Sequence, residues 1–564
     1  MSFTSYKKKK SFISFLIFIN ALFLWSYIIL NSYQLGISTN ELINILPIFF
    51  EIDFLLIVFF FVLNLDLIRR FCKISKEAKI YLILIIFIGF LFRAFLVVHT
   101  HRVFFDEDLY LGIANSIATE NRAILCNYGT PTKCYEGILN KDPSGFPFFV
   151  SIFFRIFGKG DAIAFALSTI IGTLSILLAF LIAFLLFDDE RASLYASLFF
   201  AFLPVNIVWS GSAATELYFL FFSSLSIFSL LLFLKSNEYK ALALAISLLA
   251  FAIQIRPEGI LFILIFAFAI FVFDNKLKRR IFDSNFLWLL ILFLFLSLPH
   301  FVQMYTFKEG DWGAPNGRKF GIEYLDFNLR DNIAFWFSNQ KHPIFITFFS
   351  LAGIFFLLLR KEIRKASFLL LWFSSFFVLF VLFYAGSVES GGIGHRFVNI
   401  YVMSAILLAG YGAKEIEDKF SDKKIFRVAT LLTILFSFYF CLPYITIPDK
   451  QAQYARDKHD FVMENMYRID PNCYVFSHNP SIFLVAGRKS LQTWYAQDAR
   501  VVANIFNETN CVMWLEGVWC LFEPFKSSVC KYMHDNYDLE IFARLVREDP
   551  PHEVFTIYRV YRRQ

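Results

Sequence analysis

Long apolar segments recur along the chain and constrain its fold more than any other feature of the sequence. Apolar residues make up 58% of the 564 residues and charged residues only 18%, against about 25% in a soluble protein. A helix that spans a membrane needs about 20 apolar residues in succession, and about 13 segments of this kind precede residue 448. The sequence therefore predicts a polytopic α-helical membrane protein.

Basic residues stand in short clusters between the apolar segments, and these clusters predict how the chain is oriented. Clusters occur at residues 7–10, 69–79 and 276–280. Because cytoplasmic loops are enriched in Lys and Arg, we place these clusters and the N-terminus in the cytoplasm. Alternation then puts the long loops 99–146 and 308–342 outside. The net charge of +7 is spread over the clusters, which argues against a nucleic-acid partner.

The composition changes near residue 448, where the chain becomes polar enough to fold in water. Strand-like runs at residues 473–477, 511–515 and 554–561 alternate with helical segments. A stretch of about 115 residues is a usual size for one domain. We therefore predict two domains. Residues 1–447 form the transmembrane domain, including both long loops, and residues 448–564 form an extracytoplasmic α/β domain.

Six of the eight cysteines fall on the predicted outer side of the membrane. Disulfides form in such oxidising compartments, so we expect Cys126 to pair with Cys134 and at least two cysteines of the C-terminal domain to pair. The C-terminal domain has four cysteines, which allow three sets of pairings, and the sequence does not choose between them. Cys72 and Cys441 are expected to stay reduced. The outer cysteines of the C-terminal domain are Cys473, Cys511, Cys520 and Cys530.

Three adjacent carboxylates, Asp106, Glu107 and Asp108, follow the third apolar segment. Carboxylates at the mouth of a membrane helix are costly unless they lie in water or in the headgroup layer, or bind a metal or cationic partner. Two interpretations are open. The acids belong to a solvated surface turn, as many acids do, or they include a catalytic carboxylate that faces a lipid-linked substrate.

Other charged residues also fall at outer helix ends, namely Glu216, Arg256, Glu258, His395 and Arg396. Each has a simple alternative explanation. The arginines can extend to lipid headgroups, and Glu216 can cap a helix N-terminus. Charged groups gathered at one membrane face nevertheless favour a site for a charged substrate at that interface.

The sequence resembles the GT-C glycosyltransferases. The pattern Asp106-Glu107-x-x-Tyr110 after a membrane helix looks like the first-loop motif of protein O-mannosyltransferase-like enzymes and lipid A aminoarabinose transferases. The resemblance is strongest over residues 93–257. Two apolar segments precede the one that leads into the acids, which departs from typical members, and the WWD signature of oligosaccharyltransferases is absent. Further similar segments follow in the same order, at residues 142–149, 157–161, 215–222, 256–259 and 395–397.

The resemblance implies a GT-C fold and an inverting hexosyl or pentosyl transferase. Its donor would be a sugar on a polyprenyl or dolichyl phosphate, and its acceptor a hydroxyl of a protein, lipid or glycan outside the cytoplasm. Asp106 would be the general base, with Glu107 orienting or binding a sugar or acceptor hydroxyl. Arg256 and Arg396 would hold the donor phosphate, since a guanidinium matches phosphate in a bidentate fork. The expected substrate-binding residues are Tyr110, Asp142, Glu216, Arg256, Glu258, His395 and Arg396.

No cofactor is certain from the sequence, and no glycine-rich phosphate loop is present. His99, His101 and the nearby acids could bind a divalent metal ion, although interfacial histidines are the simpler interpretation. The other functions open at this point are a transporter or flippase of polyprenyl-linked sugars, an oligosaccharyltransferase-like enzyme, and a scaffold whose outer domain binds a partner. Internal repeats, which transporters often show, are not evident in the sequence.

Overall fold

The computed structural model describes residues 3–274, 280, 282–308, 314, 317–387, 395–448, 450, 452–521, 523–547 and 553–563. Most of the predicted basic cluster 276–280, part of the loop 308–342 and part of the turn before Arg396 lie outside these residues. The chain divides into two compact units. Unit 1 comprises Met1–Ile37, Phe49–His99 and Phe165–Pro448, and unit 2 comprises Ser38–Ile48, Thr100–Ala164 and Asp449–Gln564.

The α-helices follow one another through both units. In chain order they are α1 (Phe3–Leu30), α2 (Thr39–Leu63), α3 (Leu65–Phe71), α4 (Lys76–Leu91), α5 (Asp106–Glu120), α6 (Gly145–Phe157), α7 (Asp161–Phe187), α8 (Glu190–Ala201), α9 (Pro204–Trp209), α10 (Thr215–Ser236), α11 (Tyr239–Ile255), α12 (Leu261–Phe273), α13 (Ser284–Thr306), α14 (Leu325–Trp336), α15 (Ile344–Leu359), α16 (Ile363–Val381), α17 (Val398–Glu417), α18 (Lys423–Thr446), α19 (Gln453–Asn465), α20 (Pro480–Val485), α21 (Ala499–Glu508) and α22 (Lys531–Asn536).

Within the described residues, eight helices are long and apolar enough to cross a membrane. Four further apolar helices are shorter: α6, α11, α15 and the stretch Pro257–Phe273. A multi-pass membrane protein is therefore confirmed, whereas the predicted count of about 13 spanning helices is not. The eight spans are Ile13–Leu30, Thr39–Leu63, Lys76–Leu96, Asp161–Phe187, Thr215–Ser236, Ser284–Thr306, Ile363–Val381 and Lys423–Thr446.

Residues 193–209, one of the apolar segments from which the sequence predicts spanning helices, do not form one continuous helix. The structure has α8 and α9 instead, with Leu203 in an extended conformation between them. Pro204 explains the break, because proline disfavours the helical conformation of the residue before it and cannot donate a helix hydrogen bond.

Helix α17 packs inside unit 1 and is buried along nearly its whole length. It approaches α15 closely at two glycines. A Cβ at Gly353 would lie 2.1 Å from the carbonyl oxygen of Leu408, and a Cβ at Gly412 would lie 2.1 Å from that of Phe349. Small residues at such crossings let membrane helices pack backbone to backbone.

Unit 2 contains one seven-stranded mixed sheet. The strand order is β2-β1-β4-β3-β5-β7-β6, and β3 is parallel to both β4 and β5. Strands β1 and β2 form a hairpin from the loop 99–146, which the sequence-based prediction assigned to the transmembrane domain. The strands are β1 (Leu125–Thr130), β2 (Lys133–Ile138), β3 (Tyr474–Ser477), β4 (Lys489–Gln492), β5 (Val512–Glu516), β6 (Tyr537–Arg547) and β7 (Glu553–Arg562).

The central strands β3 and β5 of the sheet are buried on both faces. Along β5, Val512 and Trp514 belong to one hydrophobic cluster, and Met513 and Leu515 belong to the other. This follows from the strand geometry, which points successive side chains to opposite faces.

The cysteine prediction is confirmed. Cys126 pairs with Cys134, Cys473 with Cys511 and Cys520 with Cys530, all within unit 2. Cys72 and Cys441, both in unit 1, are free. The first disulfide crosslinks the β1–β2 hairpin, and Cys473–Cys511 joins the residues that precede β3 and β5.

Candidate functional site

The three predicted carboxylates lie in the first turn of α5 rather than in an irregular loop. Acidic side chains are favourable there, because the unpaired N–H groups of a helix N-terminus carry a partial positive charge. Phe105 is the N-cap residue of α5, and Phe104 before it has a positive φ of 37°. The three side chains differ in exposure. Asp106 is half-buried, whereas Glu107 and Asp108 are buried.

Glu107 holds the turn that leads into α5. Its Oε1 accepts hydrogen bonds from the backbone N–H of Arg102 at 2.5 Å and of Val103 at 2.9 Å. The side chain is 0% exposed. This position supports a role in fixing the turn, where the sequence suggested contact with a substrate hydroxyl.

Asp108 makes the contacts that draw α5 to the C-terminal part of unit 2. Its Oδ1 lies 3.0 Å from His459 Nδ1, and its Oδ2 accepts a hydrogen bond from Asn479 Nδ2 at 2.8 Å. Lys458 Nζ lies 3.9 Å from the same carboxylate. Asp108 falls at an unspecified position of the Asp-Glu-x-x-Tyr pattern, so sequence reasoning passed over it.

Two stacked histidines lie between Asp108 and Asp161. The rings of His101 and His459 are 4.0 Å apart at 28°. The Nδ1 atoms of His101 and His459 lie 3.5 and 3.0 Å from Asp108. Their Nε2 atoms lie 3.6 and 2.8 Å from Asp161. We call these four residues the imidazole cluster.

Each histidine of the cluster favours the protonated form. Burial opposes the charge on His459, but its hydrogen bonds to Asp108 and Asp161 outweigh burial and raise its pKa to about 10. Burial and the charge of His459 oppose protonation of His101, yet the three nearby carboxylates leave its pKa raised. Burial likewise opposes ionisation of Asp108, and the two histidines more than compensate, so its pKa is lowered.

The same atoms suit a metal ion. One ligand atom from each of His101, Asp108 and His459 lies within 4.8 Å of the others. In a tetrahedral zinc site with bonds of about 2.0–2.1 Å, ligand atoms are about 3.3 Å apart. The separations of 3.0 and 3.5 Å from Asp108 to the two Nδ1 atoms agree with this spacing. Because a metal needs neutral imidazoles, it would displace the protons that the histidines hold otherwise.

A cavity of about 350 Å³ in unit 2 opens beside the imidazole cluster. Asp108, Asp161 and His459 line one part of it, and apolar side chains such as Ile482 line another. The hydroxyl of Ser481 also lines the cavity, is buried and has no hydrogen-bond partner among the described residues. The cavity therefore presents both polar and apolar surface to a ligand.

Lys159 also lines this cavity but is engaged in the fold. Its Nζ donates hydrogen bonds to Asn115 Oδ1 at 3.2 Å and to the carbonyl oxygens of Pro131 at 2.9 Å and Leu484 at 3.2 Å. Burial lowers its pKa to about 8. It ties the end of α6, the hairpin and α20 together.

In unit 1, four of the predicted residues meet in a second cluster, the guanidinium cluster of Glu216, Arg256, Glu258 and Arg396. Arg256 donates to Glu216 at 2.5 Å, to Glu258 at 2.7 Å and to Thr215 at 3.0 Å. Arg396 Nε lies 3.5 Å from Glu216 Oε1.

The backbone explains why Arg256 is available for these contacts. Arg256 ends α11 with extended dihedral angles, because Pro257 follows it. The ring of Phe397 lies 5.3 Å from the guanidinium carbon of Arg256 and 4.8 Å from that of Arg396, distances at which cation–π attraction operates.

The remaining predicted residues take other positions. Tyr110 is buried in unit 2 with its ring perpendicular to Phe146, and Asp142 is half-buried in the same unit. His395 is buried in unit 1, where its Nε2 lies 3.8 Å from Asp331. His99 lies 3.3 Å from Thr169 in unit 1 and is outside the candidate metal group.

Sequence reasoning missed Asp161, His459 and Asn479. Asp161 was visible only as the first residue of a membrane helix. His459 and Asn479 stand in separate segments of the C-terminal domain without a recognisable motif, so no local signal could have joined them to Asp108.

The chain is similar to known proteins in part of its sequence and in its fold. The model of the family described as dolichyl-phosphate-mannose-protein mannosyltransferase matches residues 141–302. A comparison with curated proteins gives no match. ArnT from Cupriavidus metallidurans bound to undecaprenyl phosphate is 13% identical, with a TM-score of 0.53, and covers 86% of this chain and 98% of its own. Its apo structure gives 12% identity, the same coverages and a TM-score of 0.54.

The oligosaccharyltransferase of Archaeoglobus fulgidus tethered to an acceptor peptide is 14% identical over 87% of this chain and 74% of its own, with a TM-score of 0.47. The chain therefore shares sequence with this mannosyltransferase family over residues 141–302 and its fold with ArnT. Both findings agree with the predicted GT-C superfamily and with the predicted class of enzyme.

Proposed function

We propose that this protein transfers a single hexosyl or pentosyl unit from a polyprenyl-phosphate-linked donor to a hydroxyl acceptor, with Asp106 as general base. One observation carries the assignment of the base. Of the three carboxylates that begin α5, only Asp106 has a half-buried side chain, while Glu107 and Asp108 are buried. A general base must reach the proton that it removes, and a half-buried carboxylate meets that requirement.

The donor class rests on the relatives. The matching family is named for dolichyl-phosphate-mannose, and ArnT has been solved bound to undecaprenyl phosphate. Such a donor carries its own activation, because the lipid phosphate is a good leaving group. The chain therefore needs no nucleotide-binding loop.

The proposed reaction is a direct displacement. The acceptor O–H gives its proton to Asp106, and its oxygen attacks the anomeric carbon of the sugar. The bond from that carbon to the phosphate oxygen breaks, and the lipid phosphate leaves with the electron pair. A single displacement of this kind inverts the anomeric centre. A positioned carboxylate typically contributes about 10²–10⁴-fold to such a step.

For the leaving phosphate we propose Arg396 as the direct ligand. The guanidinium of Arg256 contacts the carboxylates of Glu216 and Glu258. These contacts suit Arg256 to orient Glu216. A guanidinium binds a phosphate with two parallel hydrogen bonds, and Arg396 contacts one carboxylate of the cluster, Glu216, at 3.5 Å. Tyr110, Asp142 and His395 stay in the proposal as substrate-binding residues.

The orientation in the membrane is also part of the proposal. All three disulfides belong to unit 2, and both free cysteines belong to unit 1. Disulfides persist in oxidising compartments, which supports an extracytoplasmic C-terminal domain and first loop and a cytoplasmic N-terminus. Reporter fusions at Gly145 and Ser421 should report opposite compartments, and equal reporting would contradict this orientation.

We further propose that His101, Asp108 and His459 hold a divalent cation, for which the spacing of their ligand atoms and the two imidazoles suit Zn²⁺. The ion would neutralise Asp108 and fasten α5 to α19. Metal content of the purified protein tests this. We expect about one Zn²⁺ per chain, lost in His459→Ala and kept in His534→Ala, which removes an exposed histidine of the same unit. Equal metal content in both variants, or none in the wild type, would contradict the site.

The function itself is tested with purified protein in lipid nanodiscs. We expect transfer of label from one of a series of radiolabelled polyprenyl-phosphate sugars to a hydroxyl-bearing acceptor. Asp106→Asn should reduce transfer about 10²–10⁴-fold, and Asp535→Asn, at an exposed carboxylate of the same unit, should leave it unchanged. If no donor of this class is consumed by well-folded protein, the proposal fails. Movement of the intact donor across the bilayer without transfer would favour a flippase.

A further inference from the structure

Six aromatic rings from separate stretches of unit 2 meet beside the start of α5. Phe105 is central. Its ring lies 5.6 Å from Tyr454 and 5.4 Å from Trp519. We call the group the aromatic platform. Its members are Phe104, Phe105, Tyr454, His478, Trp519 and Phe525.

The rings form a continuous surface rather than a core. Trp519 and Phe525 are 5.7 Å apart, and His478 lies 5.1 Å from Phe525 and nearly parallel to Trp519. All six side chains are half-buried. Contiguous apolar surface left open to solvent is typical of binding sites, and no member of this group is fully enclosed by the hydrophobic core.

The backbone adopts an unusual conformation where it presents these rings. Phe104 has a φ of 37°, in a region that bulky residues rarely adopt. Such a conformation is unfavourable in itself and persists only where the surroundings impose it. It turns the chain so that Phe104 and Phe105 both reach Tyr454, at 5.6 Å each.

Polar groups accompany the rings. Lys458 Nζ lies 4.3 Å from the centre of the Phe105 ring. His478 Nδ1 lies 3.4 Å from Thr493 Oγ1. Burial, aided by the charge of Lys458, lowers the pKa of His478 to about 4, so this ring is neutral and can both accept and donate hydrogen bonds. Asp106 is the residue that follows Phe105.

This composition selects one kind of ligand. A sugar ring has an apolar C–H face and a rim of hydroxyls, which match a flat aromatic surface flanked by hydrogen-bonding groups. A lipid chain would call for aliphatic walls, and an extended peptide for unpaired backbone groups of a strand edge. The platform consists of aromatic rings alone, which offer large rigid contact area at low entropic cost.

We propose that the aromatic platform binds a saccharide, and that this saccharide is the acceptor whose hydroxyl gives its proton to Asp106. The role as acceptor rests on the proposed function, whereas saccharide binding does not. The acceptor class of this enzyme is then a glycan or a glycolipid headgroup, in place of a serine or threonine side chain.

Binding is measured on the full chain in nanodiscs by saturation-transfer NMR, with mannotriose and galactotriose as probes and a serine- and threonine-containing heptapeptide for comparison. We expect transfer to the ring protons of at least one saccharide. Trp519→Ala and Phe525→Ala should weaken binding about tenfold, since one aromatic contact contributes roughly that factor. Trp519→Phe keeps an aromatic ring and should retain most of the saccharide binding. This variant separates loss of the ring from loss of the fold.

Trp494→Ala is the matched control, because Trp494 is an exposed tryptophan of unit 2 outside the platform. Unchanged saccharide binding in Trp519→Ala and Phe525→Ala overturns the proposal, as does binding of the heptapeptide alone. Binding to phosphatidylglycerol vesicles is measured as well. If Trp519→Ala and Phe525→Ala lose vesicle binding but keep saccharide binding, the platform is a membrane contact and the proposal is overturned.

Kinetics separate this proposal from the proposed function. If the platform binds the acceptor, its variants raise the acceptor KM and leave the donor KM unchanged. Normal acceptor KM in Trp519→Ala would reject the platform while the transferase stands. Absence of transfer from every donor by the wild type would reject the transferase, and the NMR result would still decide saccharide binding.

Discussion

The imidazole cluster of unit 2 and the guanidinium cluster of unit 1 balance buried carboxylates in different ways. In the first, Asp108 and Asp161 face two stacked histidines. In the second, Glu216 and Glu258 face arginines. Imidazoles exchange protons near neutral pH and bind metal ions, whereas a guanidinium keeps its charge and offers a fixed fork.

Because their basic residues differ, the two clusters are suited to different roles. The imidazole cluster has the ligand atoms for a metal ion and holds α5, the helix that carries Asp106. In the guanidinium cluster two arginines face two glutamates, so the charges balance, and the fixed fork of Arg396 is the group that suits a phosphate. Their assembly differs too, because Arg256 and Glu258 are near neighbours in sequence, while Asp108 and His459 are far apart.

The largest expected effect concerns the two aspartates at the start of α5. Asp106→Asn keeps the shape of the side chain and removes the base, so we expect turnover to fall about 10²–10⁴-fold with unchanged thermal stability and donor binding. Turnover in purified, folded protein measures it. Normal turnover in Asp106→Asn, with an inactive but folded Glu107→Gln or Asp108→Asn, would assign the base to another carboxylate.

Asp108→Asn should act on stability instead. It weakens a charge-assisted hydrogen bond to His459 in a buried site, and we expect a loss of roughly 1–3 kcal/mol in the free energy of unfolding. Denaturation monitored in nanodiscs measures it. The counterpart in the guanidinium cluster is Glu258→Gln, for which we expect a smaller loss in the free energy of unfolding. A larger loss in Glu258→Gln would contradict this expectation.

Arg396→Lys keeps the charge and loses the fork. We expect the donor KM to rise about tenfold, as for the loss of one charge-assisted hydrogen bond, with the acceptor KM unchanged. Arg256→Lys should affect the donor less, because Arg256 contacts carboxylates. Normal donor kinetics in both variants would make the arginines structural, and a larger effect of Arg256→Lys would exchange their roles.

The smallest expected effect is a pH dependence of unit 2 that the guanidinium cluster cannot share. Burial lowers the pKa of His478 to about 4, from an unfolded value near 6.5. Between these values the unfolded chain binds more protons, so this contribution to stability is complete above pH 6.5 and is lost as pH falls toward 4. We expect the thermal midpoint to fall by about 2–4 °C from pH 7 to pH 5.

His478→Phe should reduce that decrease, and His534→Gln, at an exposed histidine, should leave it unchanged. Thermal melts of the three proteins across this range provide the measurement. A decrease of equal size in His478→Phe would place the titrating group elsewhere.

Sequence patterns alone predicted the membrane character, the Cys126–Cys134 disulfide, at least one disulfide among the C-terminal cysteines and many helix ends. Helix α7, for example, coincides with the uninterrupted apolar segment at residues 161–187 of the sequence. These features are local, since they depend on apolar length, on charges at helix ends and on prolines such as Pro257. The guanidinium cluster was also within reach, because its residues all stood at helix ends of one membrane face.

The sequence did not show which carboxylate stays accessible. The tertiary packing leaves Asp106 half-buried and makes Asp108 a buried partner of His459. It also brought the β1–β2 hairpin, where Tyr128 pairs with Leu491, into the sheet of the C-terminal residues. Local periodicity tells which face of a segment is apolar but not which distant segment will cover it. Asp108, Asp161 and His459 meet because three such segments pack together, and the physical reason lies in that packing rather than in any motif.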